Sequence, residues 1–220
     1  MLIAKNIYKS YEGLEVLKGI NLNIPKSSIT SIIGKSGSGK STLLHILGSL
    51  DDPDKGEVMI DGQNLSKMTK KEISLFRNQK IGFVFQFHHL ISEFTALENV
   101  CIPALINKVS KSEATQKAEK LLNYLGIFDR KEHKPSEMSG GEQQRVAMAR
   151  ALINDPAIVF ADEPTGNLDT QTSAELHEML VNLKNDFGQT FVIVTHNNEL
   201  SSLSDRCLEI VDGIIKSDMT

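Results

Sequence analysis

The sequence predicts an α/β fold, on three observations. Short β-branched or aromatic runs bounded by turn residues recur at 29–33, 81–85, 158–161 and 191–194. Amphipathic helical periods lie between them, and a glycine-rich loop joins the first run to the first such period. The runs are apolar on successive residues, the pattern of strands covered on both faces in a mostly parallel sheet. Strand and helix in alternation give that layered class.

In chain order, Ile20, Leu22 and Ile24 alternate with Asn21 and Asn23 until Pro25. That is a half-solvated strand, and it places an antiparallel β subdomain at the N-terminal end. Leu43, Leu44, Ile46, Leu47 and Leu50 form a helical stripe, and Lys67, Lys70 and Lys71 a solvated helix face. From about residue 94 to 153 there is no strand pattern but three helical periods. In one of them Ala114, Ala118, Leu121, Leu122 and Leu125 follow Ser112 as the expected N-cap. An inserted helical subdomain at 88–153 is therefore expected, with 1–87 and 154–220 forming the core. A last stripe runs through Leu176, Met179, Leu180 and Leu183.

Composition narrows the function. With 220 residues, 40% hydrophobic and 24% charged, the chain is an ordinary globular one. Lys+Arg is 24 against Asp+Glu 28, a net charge of −4, which argues against nucleic acid as a partner. Cys101 and Cys207 have no metal-ligand spacing and are expected as buried thiols of a reducing compartment. His88 and His89 likewise lack a partner at ligand spacing. The N-terminus has no apolar export signal, and no apolar stretch approaches the ~20 residues of a spanning helix. A cytosolic chain that does not itself cross a membrane is expected.

Three motifs carry chemistry. Gly34-Lys35-Ser36-Gly37-Ser38-Gly39-Lys40-Ser41 has the GxxxxGK[ST] pattern between a buried strand and a helix. Its glycines permit a tight wrap around phosphate, backed by the helix N-terminus. Lys40 supplies a full charge to the β/γ-phosphates and Ser41 a hydroxyl to Mg²⁺. At 158–163 an apolar run ends in Asp162 and Glu163, beyond a strand's carboxyl end where ligands bind. Asp162 is placed to hold Mg²⁺, and Glu163 to orient or deprotonate a water. Ser139-Gly140-Gly141-Glu142-Gln143 then presents free N–H groups at a helix start, a second anion site.

The order of these motifs, with Gln86 at one strand end, Asn167-Leu168-Asp169, and His196 after Val194-Thr195, resembles the ATP-binding subunits of ABC transporters over essentially the whole chain. The resemblance implies the P-loop NTPase fold of that family, ATP and Mg²⁺ as ligands, and ATP hydrolysis. It implies that ATP is held by Tyr11, by the loop from Gly34 through Ser41 with Thr42, and by Gln86. Tyr11, just before the first hairpin, would stack on adenine; Tyr8 is the weaker choice. Mg²⁺ would be met by Ser41, Gln86 and Asp162, while Lys40, Glu163 and His196 act in catalysis. Ser139, Gly140, Gly141 and Glu142 would contact ATP held by a second copy in a head-to-tail dimer, with Asp169 linking the two sites.

The stretches 76–90 and 94–100 are similar to the ATPases of lipoprotein-releasing systems (the LolD type). Residues 163–169 are shared with macrolide-exporter and cell-division types and do not separate them. That similarity implies integral membrane permease subunits as partners and a place at the cytoplasmic face of a bacterial inner membrane. Three departures stand out: Met138 for the usual Leu, Glu142 for the usual Gln, and Ile91-Ser92-Glu93 without a Leu-Pro pair. Phe87, Leu90 and Phe94 are expected to be at least partly exposed, as anchors for a partner helix.

Overall fold

The computed structural model describes residues 1–219, without the side chain of Asn198. Two sheets carry the chain. The first is antiparallel, in the order β2 (Leu14–Ile24), β1 (Leu2–Tyr11), β4 (Lys55–Ile60), β5 (Gln63–Asn64). The second runs β10 (Ile214–Met219), β9 (Arg206–Val211), β3 (Ile29–Ile33), β8 (Phe191–Val194), β7 (Ile158–Asp162), β6 (Ile81–Phe85). All neighbours from β9 to β6 are parallel, and β10 returns antiparallel at the edge.

The apolar runs have both faces covered. Val159, Ala161, Phe191 and Ile193 pack into one cluster with Met148, Leu176 and Leu180. Their neighbours Ile158, Phe160, Val192 and Val194 pack into another with Leu44, Leu47, Ile20 and Val58. Residues alternate sides along each strand, so an apolar residue at every position is needed to bury the sheet twice.

Helix α1 (Lys40–Leu47) follows β3, and α2 (Lys70–Lys80) precedes β6. Leu50 falls outside the expected stripe. Gly48 follows the end of α1 as its C-cap, and only glycine fits there because the Phe83 ring lies 2.1 Å from the ideal position of a Cβ. Between β6 and β7 the regular structure is helical: α3 (Ala96–Ile106), α4 (Lys111–Tyr124) and α5 (Gly140–Leu152), with short 3₁₀ turns. The α4 cap is Ser110, not Ser112, because Ser110 lies three residues before Glu113 and its Oγ accepts that N–H at 3.2 Å. α6 (Thr170–Phe187) is capped by Asp169, and α7 (Asn198–Ser202) follows β8. Cys101 and Cys207 are buried free thiols. Among the described residues no helix is long and apolar enough to cross a membrane.

Candidate functional site

Strand order assembles the site. Along β3, β8, β7 and β6 the carboxyl ends deliver, side by side, the loop from Gly34, His196, the Asp162–Glu163 pair and Gln86. A cleft of about 600 Å³ is lined by Tyr11, Gly37, Lys40, Thr42, Glu163 and His196, among others. Gly34, Ser36, Gly39 and Ser41 also line it.

The glycine-rich loop adopts the conformation its composition allows. Gly37 and Gly39 take φ of 77° and 101°, a region that L side chains rarely enter. Lys40 folds back: its Nζ donates to Gly34 O at 2.8 Å and Lys35 O at 3.0 Å. The Ser41 hydroxyl donates to Asp162 Oδ1 at 3.3 Å, so hydroxyl and carboxylate converge on one point. Burial pushes the Asp162 carboxyl above its usual value, partly opposed by Ser41. An all-oxygen pair with an under-neutralised carboxylate fits Mg²⁺. Ser38 adds a buried hydroxyl with no protein partner at the base of the loop, which fits a phosphate acceptor.

Glu163 stands at φ 47°, an uncommon conformation for a side-chain-bearing residue, directly after β7. Its N–H is held by Val194 O at 2.9 Å, and Oε1 lies 2.8 Å from His196 Nδ1. Carboxylate and histidine are thus locked together across two strand ends.

Residues 17–166 match the ABC transporter family. The chain belongs to that family. A curated relative from Bacteroides thetaiotaomicron, "Lipoprotein-releasing system ATP-binding protein LolD", is 56% identical over 99% of this chain and 100% of its own. The Aquifex aeolicus protein of the same name is 51% identical over 100% of this chain and 98% of its own. Among solved structures, a dimeric ATP-binding cassette in a post-hydrolysis state bound to ADP and Pi superposes with TM-score 0.91 at 41% identity, covering 100% of this chain and 98% of that one. The ABC fold inferred from sequence is the fold observed.

In this ABC chain the helix start expected as a second anion site stands apart: Ser139 to Glu142 do not line the cleft. The Ser139 Oγ accepts the Glu142 N–H at 3.3 Å and Glu142 returns a bond to the Ser139 N–H at 2.7 Å. The N–H groups of Gly140 and Gly141 have no acceptor within the helix. Glu142, in place of the usual Gln, is paired with Arg130 at 3.0 Å. The bond from Ser139 N–H and this pair hold its carboxyl below the usual range, and the charge is neutralised rather than aimed at an incoming anion. Met138 fills its position as a buried apolar residue. Gly140 and Gly141 abut Leu168 and Thr172, so the signature sits beside Asp169. Asp169 itself is turned into the α6 cap, accepting from Thr172 N at 2.9 Å.

Gln86 does not line the cleft either. Its Nε2 donates to Asn167 Oδ1 at 2.9 Å, and Asn167 Nδ2 donates back to Gln86 O at 3.3 Å. Tyr11 is the last residue of β1, within the hairpin rather than before it, and lines the cleft. The Tyr8 hydroxyl packs over Gly19 instead. Phe87 and Phe94 are exposed, and Leu90, half-buried, packs one side on the helical core. Sequence reading missed Arg150, whose guanidinium donates to the carbonyls of His88 and His89, both at 2.6 Å. It also missed Asn99, fully buried and bonded to Ile91, Phe94 and Thr95 backbone. Side-chain bonds to backbone across loops leave no periodic trace.

Proposed function

We propose that this chain is the ATP-hydrolysing subunit of a lipoprotein-releasing ABC transporter. It works as a head-to-tail pair beneath a membrane permease, at the cytoplasmic face of a bacterial inner membrane. The observation that carries this reading is that one chain holds two anion sites that do not meet: the phosphate-loop cleft and the Ser139–Glu142 helix start. Two copies in opposite orientation bring each cleft against the other's signature.

The residues divide the work as follows. The loop from Gly34 through Ser41, with Thr42, encloses the phosphates, and Lys40 exchanges its carbonyl contacts for phosphate oxygens. Ser41 and Asp162, with Gln86 once it leaves Asn167, would hold Mg²⁺, which would supply positive charge to the phosphates when bound. Glu163 takes a proton from the attacking water, with His196 holding it in place and reaching toward the γ-phosphate. Tyr11 offers its ring to adenine. Gly140 and Gly141 give N–H groups to the γ-phosphate in the other copy, and Asp169 links the sites.

The permease is read from exposed apolar surface. Leu50, Phe83, Phe85 and Ile106 line a cleft of about 410 Å³ between core and helical lobe, with Ile106 66% exposed. Phe87, 70% exposed, extends it into the segment after Gln86. An apolar permease helix suits this surface, which lies beside the segment after Gln86. Purifying the tagged chain from detergent-solubilised membranes and identifying its partner tests the reading. A permease that releases lipoproteins when reconstituted supports it; a macrolide or peptide exporter permease reassigns the cargo; no membrane partner overturns it.

A further inference from the structure

Tyr11 has an environment that its position does not require. It ends β1 at a hairpin edge and is 45% exposed, where a tyrosine ordinarily samples several rotamers. Here its hydroxyl donates to Asp51 Oδ2 at 2.5 Å. Asp51 lies just past the end of α1, and its other oxygen accepts from Lys9 Nζ at 2.8 Å and from Asp52 N at 2.8 Å. Lys9 is itself only 8% exposed, unusual for a lysine. Its Nζ donates again to Asp52 O at 2.7 Å and sits 5.1 Å from the centroid of the Tyr11 ring.

We propose that Lys9 and Asp51 are positioning residues for nucleotide binding, which together hold the Tyr11 ring as a preset platform for the nucleobase. Asp51 fixes the ring by its hydroxyl and Lys9 covers one face, leaving the other to a planar ligand. A platform held before binding spares the nucleotide the entropy of ordering it. The bond to Asp51 raises the Lys9 and Tyr11 pKa values, so the lysine stays cationic and the phenol protonated through the neutral range. Burial pushes Asp51 up, but the bonds from Lys9 and Tyr11 outweigh it and keep the carboxylate ionised.

This inference rests on the reading of Tyr11 as the adenine-stacking residue, and the experiment separates the two. ATP and inorganic triphosphate, which has no base, are titrated against the full-length chain and its variants, with KM and kcat measured for ATP. Tyr11→Ala is expected to weaken ATP about tenfold or more, the scale of one base–aromatic stack. Asp51→Ala, Lys9→Met and Tyr11→Phe are expected to raise the ATP Kd and KM about three- to tenfold, with kcat unchanged. Triphosphate affinity stays within about twofold in Asp51→Ala and Lys9→Met, whose bonds are to each other, Tyr11 and Asp52 rather than to the phosphate loop. Tyr11→Phe breaks one of the bonds that Asp51→Ala breaks, so the double variant should be no worse than Asp51→Ala alone. If Tyr11→Ala binds ATP like the parent chain, the platform reading falls. If it loses ATP while Asp51→Ala and Lys9→Met do not, the platform stands and the positioning inference is overturned. An equal loss of triphosphate affinity in Asp51→Ala overturns it too, because the residue then acts through the loop's fold.

Discussion

Glu163 and His196 grip each other at two points: Oε1 lies 2.8 Å from the imidazole Nδ1, and Oε2 accepts the His196 backbone N–H at 3.3 Å. The carboxylate is mostly buried while the imidazole stands in solvent, with 18% and 74% of the side chains exposed. The histidine thus has one edge facing the cleft while its other edge holds the Glu163 carboxylate.

Replacing either partner should affect the chemical step rather than binding. Glu163→Gln keeps shape but loses the base, and at least ~10²-fold in rate should go with it. His196→Ala should fall by a similar order, since Glu163 is left unoriented. Steady-state hydrolysis measures both. In Glu163→Gln, light scattering should show a monomer without nucleotide and an accumulating dimer with ATP.

Lys40→Ala should abolish ATP binding and hydrolysis. Because Nζ donates to Gly34 O and Lys35 O, the substitution also loosens the loop. A loss of about 1 kcal/mol, or 2–4 °C in Tm, is expected for the ligand-free chain. Calorimetric ATP titration and a melting curve check the two effects separately.

Asp162 sets a pH dependence. Its folded pKa is raised above 3.8, chiefly by burial, so the ionised carboxylate destabilises the ligand-free fold. Protonation relieves this at low pH, and the relief is lost as pH rises from the unfolded value through the folded one. Asp162→Asn should therefore raise Tm at pH 7, with the gain disappearing below the ordinary carboxylate range. Hydrolysis should fall by at least ~10²-fold as the metal position is lost. Melting curves across pH 3–7 test the sign.

Arg150 clamps His88 and His89, both in left-handed conformations with φ of 57° and 48°. Burial lowers the pKa of this guanidinium, so its two carbonyl bonds matter to the fold. Arg150→Met should cost about 2 kcal/mol, roughly 4–8 °C in Tm, and speed proteolysis within 87–94. His89→Ala and Glu93→Ala should leave hydrolysis by the isolated chain within a few-fold while weakening permease stimulation and cargo release. Full release in a reconstituted assay would remove this segment as the coupling surface.

The buried strands, the phosphate loop and the helix starts were legible because each is a local pattern. Apolar residues at successive positions mark a strand covered twice, and Ser139 with Glu142 marks a capped helix. The strands at 2–11, 55–60 and 206–219 were not, since their apolar residues alternate irregularly around bulges and short turns. Chain order also predicted that Asp162, His196 and Gln86 end strands. It could not predict that those strands lie side by side as β3, β8, β7, β6, nor that Gln86 is tied to Asn167, 81 residues away. Lys9 and Asp51 are 42 positions apart and belong to no motif. Backbone propensity and hydrophobic period act over a few residues, so sequence determines the elements and their chemistry. The pairing of strand ends, and of one side chain with a distant carbonyl or carboxylate, is decided only when burial of both sheet faces selects a single packing.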